Sequence, residues 1–298
     1  MRIAVTGKVG QVVTALLERG PAAGVEVIAV GRPELDLADP ASVEAALAAT
    51  APDVIVSSAA YTAVDKAESE PEAAFAVNRD GAAAVAAAAA KLGVPVIHLS
   101  TDYVFRGDKD GAYGEDDPVD PAGVYGASKL AGEQAVVAAT PNHAILRTCW
   151  VYSPFGANFV KTMLRLAETR DAVGVVADQH GTPTSALDIA DAVIAVAWRM
   201  VNDTDPALRG VFHLTGSGEG SWADFAETIF AGLAEAEGKQ VSVNRITTAD
   251  FPTPAKRPPN SRMSGEKLTR LYGVTLPDWR LSTQQVVERL LRKEDAPA

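Results

Sequence analysis

The sequence predicts an α/β fold, a doubly wound parallel sheet with a smaller, interleaved lobe. Three observations carry that expectation. Short apolar runs alternate with helix-spaced stretches through the first half of the chain, the pattern of parallel strands joined by crossover helices. The first run, Arg2 to Thr6, passes through Gly7-Lys8-Val9-Gly10-Gln11 into a stretch where Val12, Val13, Leu16 and Leu17 recur at helical spacing. Beyond residue 170 the alternation turns irregular. Residues 1–150 are therefore expected to form the sheet domain, with a return segment near 178–201, and residues 151–298 to supply most of the lobe.

A chain of 298 residues with 47% hydrophobic content can fill such a core without staples. Its single cysteine, Cys149, forms no internal disulfide, and no Cys/His spacing reads as a zinc site, so no metal ligand is assigned. The N-terminal apolar run is too short for a signal-peptide core and no stretch reaches membrane-spanning length. A cytoplasmic protein is expected. The net charge of −11 disfavours nucleic acid and anionic membrane as partners, because both select an excess of Lys and Arg.

The turn at Gly7, Val9, Gly10, Gln11 and Val12 reads as strand, tight turn, helix. Backbone N–H groups at such a helix start can face a pyrophosphate; an ordinary βα turn is the alternative at this point. Val25 to Val30 is a second strand leading to Gly31-Arg32 and Asp36-Leu37. The end of that strand meets the adenosine ribose in dinucleotide folds, where an acid suits a 2′-hydroxyl and an arginine a 2′-phosphate. Arg32 leans towards NADPH and leaves NADH open; a solvated loop arginine is the other reading. After a helix from about Ala41 to Thr50, the strand Asp53 to Ser57 runs into Ala59-Ala60-Tyr61, small residues that let a ligand approach the sheet edge. Glu68 to Lys91 reads as one long, alanine-rich helix. Val94 to Ser100 is the fourth strand, ending at Thr101-Asp102, and the Asp-, Gly- and Pro-rich loop 106–123 reads as a surface excursion and a possible flap over the site.

Tyr125-Gly126-Ala127-Ser128-Lys129 opens the next helix. Residues four apart share a helix face, which sets a phenol beside an ammonium. A neighbouring positive charge favours phenolate, so the expectation is a lowered tyrosine pKa and a proton donor usable near neutrality. The spacing alone also suits a surface pair.

His143 to Arg147 is another strand and Asn158 to Leu166 an amphipathic helix. Later come a strand at Val173 to Ala177, a helix from Ala186 to Met200 and a strand from Gly210 to Leu214. Ser221 is expected to cap the helix Trp222 to Ala234, with Asp224 completing a capping box. The proline-rich stretch 251–262 reads either as a linker or as a rigid loop that carries Lys256, Arg257 and Arg262 to a bound anion. A final helix starts near Ser282. The four histidines are scattered and are read as structural.

The glycine turn, Ser100-Thr101-Asp102 and Tyr125-x-x-x-Lys129 resemble the extended short-chain dehydrogenase/reductases, which have a Rossmann-type fold. Five ordered blocks, Ala59 to Glu68, Ser100 to Phe105, Arg147 to Tyr152, Asp178 to Thr184 and Pro254 to Pro258, resemble the dTDP-4-dehydrorhamnose reductases across nearly the whole chain. The resemblance implies NADPH-dependent reduction of the C4 ketone of dTDP-4-dehydro-6-deoxy-L-mannose to dTDP-L-rhamnose. It makes Tyr125 the proton donor, Lys129 its pKa modifier and ribose partner, and Thr101 the hydroxyl that orients the carbonyl. Val64, Asp102 and Trp150 match sugar-pocket positions. Gly7, Val9, Gly10, Gln11, Val12, Arg32, Asp36, Leu37, Ala59, Ala60 and Tyr61 join Tyr125 and Lys129 as cofactor contacts, and Lys256 and Arg257 are set to meet the diphosphate.

Tyr103 stands where related dehydratases carry an elimination glutamate. Val13 stands where the family's turn has its third glycine, and an outward shift of the first helix is expected from it. Two alternatives share the pattern, a different dTDP-hexose 4-ketoreductase and a non-catalytic NADP-binding subunit like the regulatory subunit of methionine adenosyltransferase. Some family members are metal-linked dimers, which leaves a homodimer and a Mg2+ ion open with no residue assigned to either.

Overall fold

The structure, a computed structural model, describes residues 1–292. Its first half runs β1 (Arg2–Thr6), α1 (Gln11–Arg19), β2 (Glu26–Val30), α2 (Pro40–Ala48), β3 (Val54–Ser57), α3 (Val64–Ala67), α4 (Pro71–Phe75), a π-helical turn (Ala76–Gly81), α5 (Ala82–Leu92), β4 (Val96–Thr101), α6 (Val124–Ala139) and β5 (His143–Thr148). The second half continues with β6 (Val151–Tyr152), α7 (Phe159–Ala167), β7 (Ala172–Val176), β8 (His180–Gly181), β9 (Thr184–Ser185), α8 (Ala186–Asn202) and β10 (Gly210–His213). It ends with β11 (Gly220–Ser221), α9 (Trp222–Glu237), β12 (Ser242–Ile246), α10 (Glu266–Tyr272) and α11 (Trp279–Leu291).

Six strands form one parallel sheet in the order β10-β5-β4-β3-β1-β2. Strand alternation sends neighbouring residues to opposite faces. Ile3, Val5, Val54 and Val56 join the core under α1 and α8, while Ala4 and Ile55 join the core under α2 and α5. Both faces are covered, so the strands carry nearly continuous apolar runs. The chain returns to this sheet past residue 201, because β10 pairs with β5 from Gly210↔Ala144 to His213↔Arg147.

The order reverses between β1 and β3, and open α/β sheets bind ligands in the crevice beyond the strand ends at such a point. Thr6 stitches this crevice, its hydroxyl accepting from the Ser58 and Ala59 backbone N–H groups at 3.0 Å each.

The helix expected over 68–91 begins at Pro71 and runs to Leu92, with a π-helical turn set inside it. At the π turn, Gly81 lies so close to Leu37 that a Cβ would fall 2.8 Å from its carbonyl oxygen. Asn78, carried by the turn, accepts from Tyr61 N at 2.8 Å and donates to Tyr61 O at 3.1 Å and to Ser128 Oγ at 2.9 Å. The extra residue per turn aims this buried amide at the loop after β3 and at α6 together.

The lobe is assembled from short pairings, β6 with β9, β8 with β11 and β7 with β12, under α7, α9 and α11. Ser221 and Asp224 form the expected capping box. The final helix begins at Trp279 and is capped by Asp278, three residues before the expected start, because the buried Trp279 ring belongs to the helix's first turn.

Two loops are fixed rather than free. In the segment expected as a flap, the buried Tyr113 stacks on Phe105 with ring centroids 4.2 Å apart, and its hydroxyl accepts from Gly107 N and Lys109 N. The proline-rich stretch is the rigid loop, not a linker. Ser261 N donates to His180 O at 2.7 Å, and Asn260 Nδ2 donates to Lys109 O and Gly111 O at 2.7 and 2.8 Å.

Candidate active site

The site begins at the crevice. Gly7 has φ +102°, a left-handed conformation suited to glycine. α1 starts at Gln11 with Gly10 as an N-cap that offers no side-chain bond, so the first N–H groups of the helix have no side chain capping them. Val9 is 87% exposed on the outer side of this turn. At the end of β2, Gly31 sits against Gly7, where a Cβ would fall 3.3 Å from the Gly7 backbone. Beyond it Arg32 is exposed and makes no side-chain hydrogen bond or ion pair among the described residues.

Uncapped helix N–H groups, a turn that needs glycine at position 7 and packs closely on Gly31, and an arginine without a side-chain partner among the described residues fit a dinucleotide phosphate chain. Val13 is buried, its Cγ2 3.4 Å from the place of a Gly7 Cβ, so the side chain fills the space between helix and turn. Gln11 faces the lobe, its amide oxygen accepting from Ser153 Oγ at 2.7 Å. Asp36 is held locally, its Oδ1 accepting from Ala38 N at 3.0 Å. Leu37 is core, packed on the π turn. Ala59, Ala60 and Tyr61 are half-buried and held by Thr6 and Asn78.

Thr101 is the last residue of β4. Its hydroxyl accepts from Tyr103 N at 3.2 Å and donates to Asp102 Oδ1 at 2.9 Å. Tyr125, in the first turn of α6, reaches the same place, with its ring edge-on to Tyr103 at 5.4 Å. α6 can lie this close because position 126 is glycine; a Cβ there would sit 2.1 Å from Tyr103 O. Burial and the Asp102 carboxylate push the Tyr125 phenol up to about 12, and a hydrogen bond with Thr101 opposes the rise.

This reverses the expected direction for Tyr125. Lys129 shares its helix face, but the buried Nζ donates to Leu99 O at 2.7 Å, inside the sheet edge. Burial draws the Lys129 ammonium down to about 8, with Glu133 acting against the fall. Glu133, one turn on, is locked to Arg147 by bonds of 2.9 and 2.7 Å and receives the Ser100 hydroxyl.

Asp102 is 2% exposed, and among the described residues its Oδ2 has no partner at hydrogen-bonding geometry. Burial raises its carboxyl to about 6, with hydrogen bonds from Ser261, Thr101 and the backbone N–H groups of Asp102 and Tyr103 acting against the rise. Trp150, just after β5, holds φ +48°, a costly conformation for a bulky residue. Its ring stacks on Trp222 at 3.8 Å and lies over Gly181, where a Cβ would be 2.7 Å from the indole.

Val64 opens α3, and the next residue, Asp65, accepts from Ala255 N at 3.1 Å and from Arg257 Nη2 at 2.7 Å. The Arg257 Nη1 atom is buried without a hydrogen-bond partner among the described residues. Lys256 and Arg257 line a groove of about 510 Å3 with Asp178, Thr248 and Pro252–Ala255. Arg262 is engaged by Glu219 and Asn260. A second cleft, of about 440 Å3 between Thr215–Gly218 and residues 263–276, contains none of the expected site residues.

Sequence reasoning missed Asn78, Asp65, Glu133, Trp222 and Ser261. Only two left a signal, Asn78 as a poor helix former inside an alanine-rich run and Glu133 at i+4 from Lys129.

The family model described as RmlD substrate binding domain matches residues 1–292. A dTDP-4-dehydrorhamnose reductase of Sinorhizobium fredii is 57% identical over 291 residues, covering 98% of both chains. Among solved structures, a dTDP-4-dehydrorhamnose reductase of Clostridium acetobutylicum superposes with a TM-score of 0.89 at 38% identity, over 97% of this chain and 99% of that one. One from Bacillus anthracis, in complex with NADP, gives 0.88 at 34% identity with the same coverage.

Proposed function

The chain belongs to the dTDP-4-dehydrorhamnose reductase family, and from that membership we propose that it reduces the C4 ketone of dTDP-4-dehydro-6-deoxy-L-mannose to dTDP-L-rhamnose. The observation that carries the reading is the convergence of Thr101 and Tyr125 at the end of β4, beside a crevice that fits a dinucleotide. NADPH, when bound, supplies the hydride. The N–H groups from Val9 to Val12 hold its pyrophosphate, Arg32 meets the 2′-phosphate, and the backbone from Ala59 to Tyr61 borders the ring end.

Reduction builds negative charge on the ketone oxygen. Tyr125 hydrogen-bonds that oxygen and gives up its proton to it. A phenol held near 12 stays protonated throughout the neutral range, so the donor is always loaded. Thr101 offers a second hydrogen bond to the same oxygen, in a site where fixed donors need no reorganisation. The Lys129 ammonium, anchored on Leu99 O, holds the cofactor ribose. Val64, Asp102 and Trp150 border the sugar.

For the diphosphate, Arg257 with its unpartnered Nη1 and the exposed Lys256 supply the charge. Substituting either raises KM more than it lowers kcat if the contact is equally strong in ground and transition states.

The test is substrate-dependent NADPH oxidation by the wild type and by Tyr125→Phe. A loss of roughly 10²- to 10⁴-fold in kcat is expected for removal of a general acid; full activity in the variant contradicts the assignment.

A further inference from the structure

Thr101 has one hydroxyl proton to give. An ionised Asp102 takes that proton, because its Oδ1 lies 2.9 Å from Thr101 Oγ1, while the same oxygen already accepts from Tyr103 N at 3.2 Å and Tyr125 stands within hydrogen-bond reach. A hydroxyl that donates to an ionised carboxylate cannot donate the same proton to a ketone. Reversing the hydrogen bond resolves the conflict without turning the Thr101 hydroxyl away from a buried carboxylate. A protonated Asp102 donates to Thr101 Oγ1 and releases the Thr101 proton.

We propose that Asp102 is a positioning residue that works as a neutral acid, its carboxyl proton directed at Thr101 Oγ1 so that the Thr101 hydroxyl points at the substrate ketone. This rests on the reading that Thr101 hydrogen-bonds the ketone. The proton of Asp102 stays on Asp102 through turnover; it sets a direction and is not transferred.

The surroundings suit the neutral form. Asp102 is 2% exposed, and burial outweighs the hydrogen bonds that favour its ionised form, from Ser261, Thr101 and the Asp102 and Tyr103 backbone N–H groups; among the described residues Oδ2 has no partner at hydrogen-bonding geometry. The titratable groups that face it are the phenols of Tyr103 and Tyr125 and the buried Cys149 thiol, each raised in pKa with Asp102 among the causes. All three are neutral at physiological pH, so none replaces the missing counter-charge. Of the hydrogen-bond donors to Asp102, Ser261 comes from the proline-rich loop. The guanidinium of Arg257 acts on Tyr103 next door and is held by Asp65. Burial raises the carboxyl to about 6 before any ligand arrives, and a bound anionic nucleotide sugar raises it further.

The experiment compares kcat at saturating substrate and NADPH at two pH values that bracket the Asp102 transition and lie below the Lys129 transition near 8. Wild type is expected to lose activity at the higher pH by about tenfold or more, part of the ~10²- to 10³-fold that one donor to a developing oxyanion is worth. In Asp102→Asn the amide donates permanently to Thr101 Oγ1, and the ratio of the two rates is expected to fall to about one, whatever the absolute rate. An infrared carboxylic-acid carbonyl band that titrates with the wild-type rate and disappears in Asp102→Asn identifies the group without relying on turnover. Thr101→Val separates the two claims. If Thr101→Val loses activity while Asp102→Asn keeps the wild-type ratio, the inference is overturned and the reading of Thr101 stands. Full activity in Thr101→Val overturns both.

Discussion

Tyr125 and Lys129 illustrate what spacing can and cannot specify. Four residues of separation put both on one face of α6, as expected. Where the two polar ends come to rest depends on the partners they find. The phenol goes to Thr101 and Asp102 at the sheet edge, and the longer lysine runs inward to Leu99 O. Burial then dominates both titrations, raising the phenol and lowering the ammonium. A sequence offers no measure of that burial.

Two outcomes follow at this scale. Above pH 8 the Lys129 ammonium loses its proton, so the KM for NADPH is expected to rise there in wild type and to be high and pH-independent in Lys129→Met; steady-state titration across the transition checks it. The linkage has the opposite sign for stability. Lys129 has a folded pKa below its unfolded value, so the unfolded chain binds more protons between about 8 and 10 and stability from this group increases as pH rises through that window. Urea unfolding of Lys129→Met against wild type across this range isolates the contribution.

At the scale of elements, every strand of the sheet's first five was legible from apolar runs and their turns, because a parallel sheet buried on both faces leaves that mark. The π turn was not. Alanine-rich composition favours a regular α-helix, and the wider turn goes with contacts the local sequence does not contain, Gly81 against Leu37 and Asn78 against Tyr61 and Ser128. Asn78→Ala leaves the Tyr61 N–H without its partner and is expected to destabilise the protein by roughly 1–3 kcal/mol, with weakened NADPH binding because the Ala59–Tyr61 loop loses its hold; denaturant midpoints and cofactor titration measure the two effects separately.

The glycines of α6 were likewise visible as residues without a visible reason. Gly132→Ala sets a Cβ 2.1 Å from Asn78 O, and such overpacking is expected to cost about 1–3 kcal/mol or more. Gly126→Ala meets Tyr103 O at the same separation. Its expected signature is a larger loss of kcat, since the displaced turn carries Tyr125.

For the whole molecule, the alternation of the first half announced the doubly wound sheet. The joining of its two ends was hidden. β10 reaches the sheet only by pairing with β5, and the proline-rich loop becomes rigid only through partners in distant segments. Asp65 and Arg257, 192 residues apart, clasp that loop to the crevice edge. A half-exposed pair contributes little to global stability, so Asp65→Ala is expected to leave the unfolding midpoint nearly unchanged while speeding proteolytic cleavage within 251–262; equal cleavage rates contradict a clasp. Composition could not distinguish a linker from this loop, because prolines serve either use.

The central claim is that crevice, Thr101 and Tyr125 together reduce a nucleotide-linked 4-keto sugar. Its most direct test is the loss of reduced-nicotinamide absorbance when the purified protein is given dTDP-4-dehydro-6-deoxy-L-mannose, with NADPH and NADH compared in parallel. Oxidation that requires the sugar, proceeds faster with NADPH and yields dTDP-L-rhamnose is the predicted result. Tight NADPH binding with no sugar-dependent oxidation would contradict it.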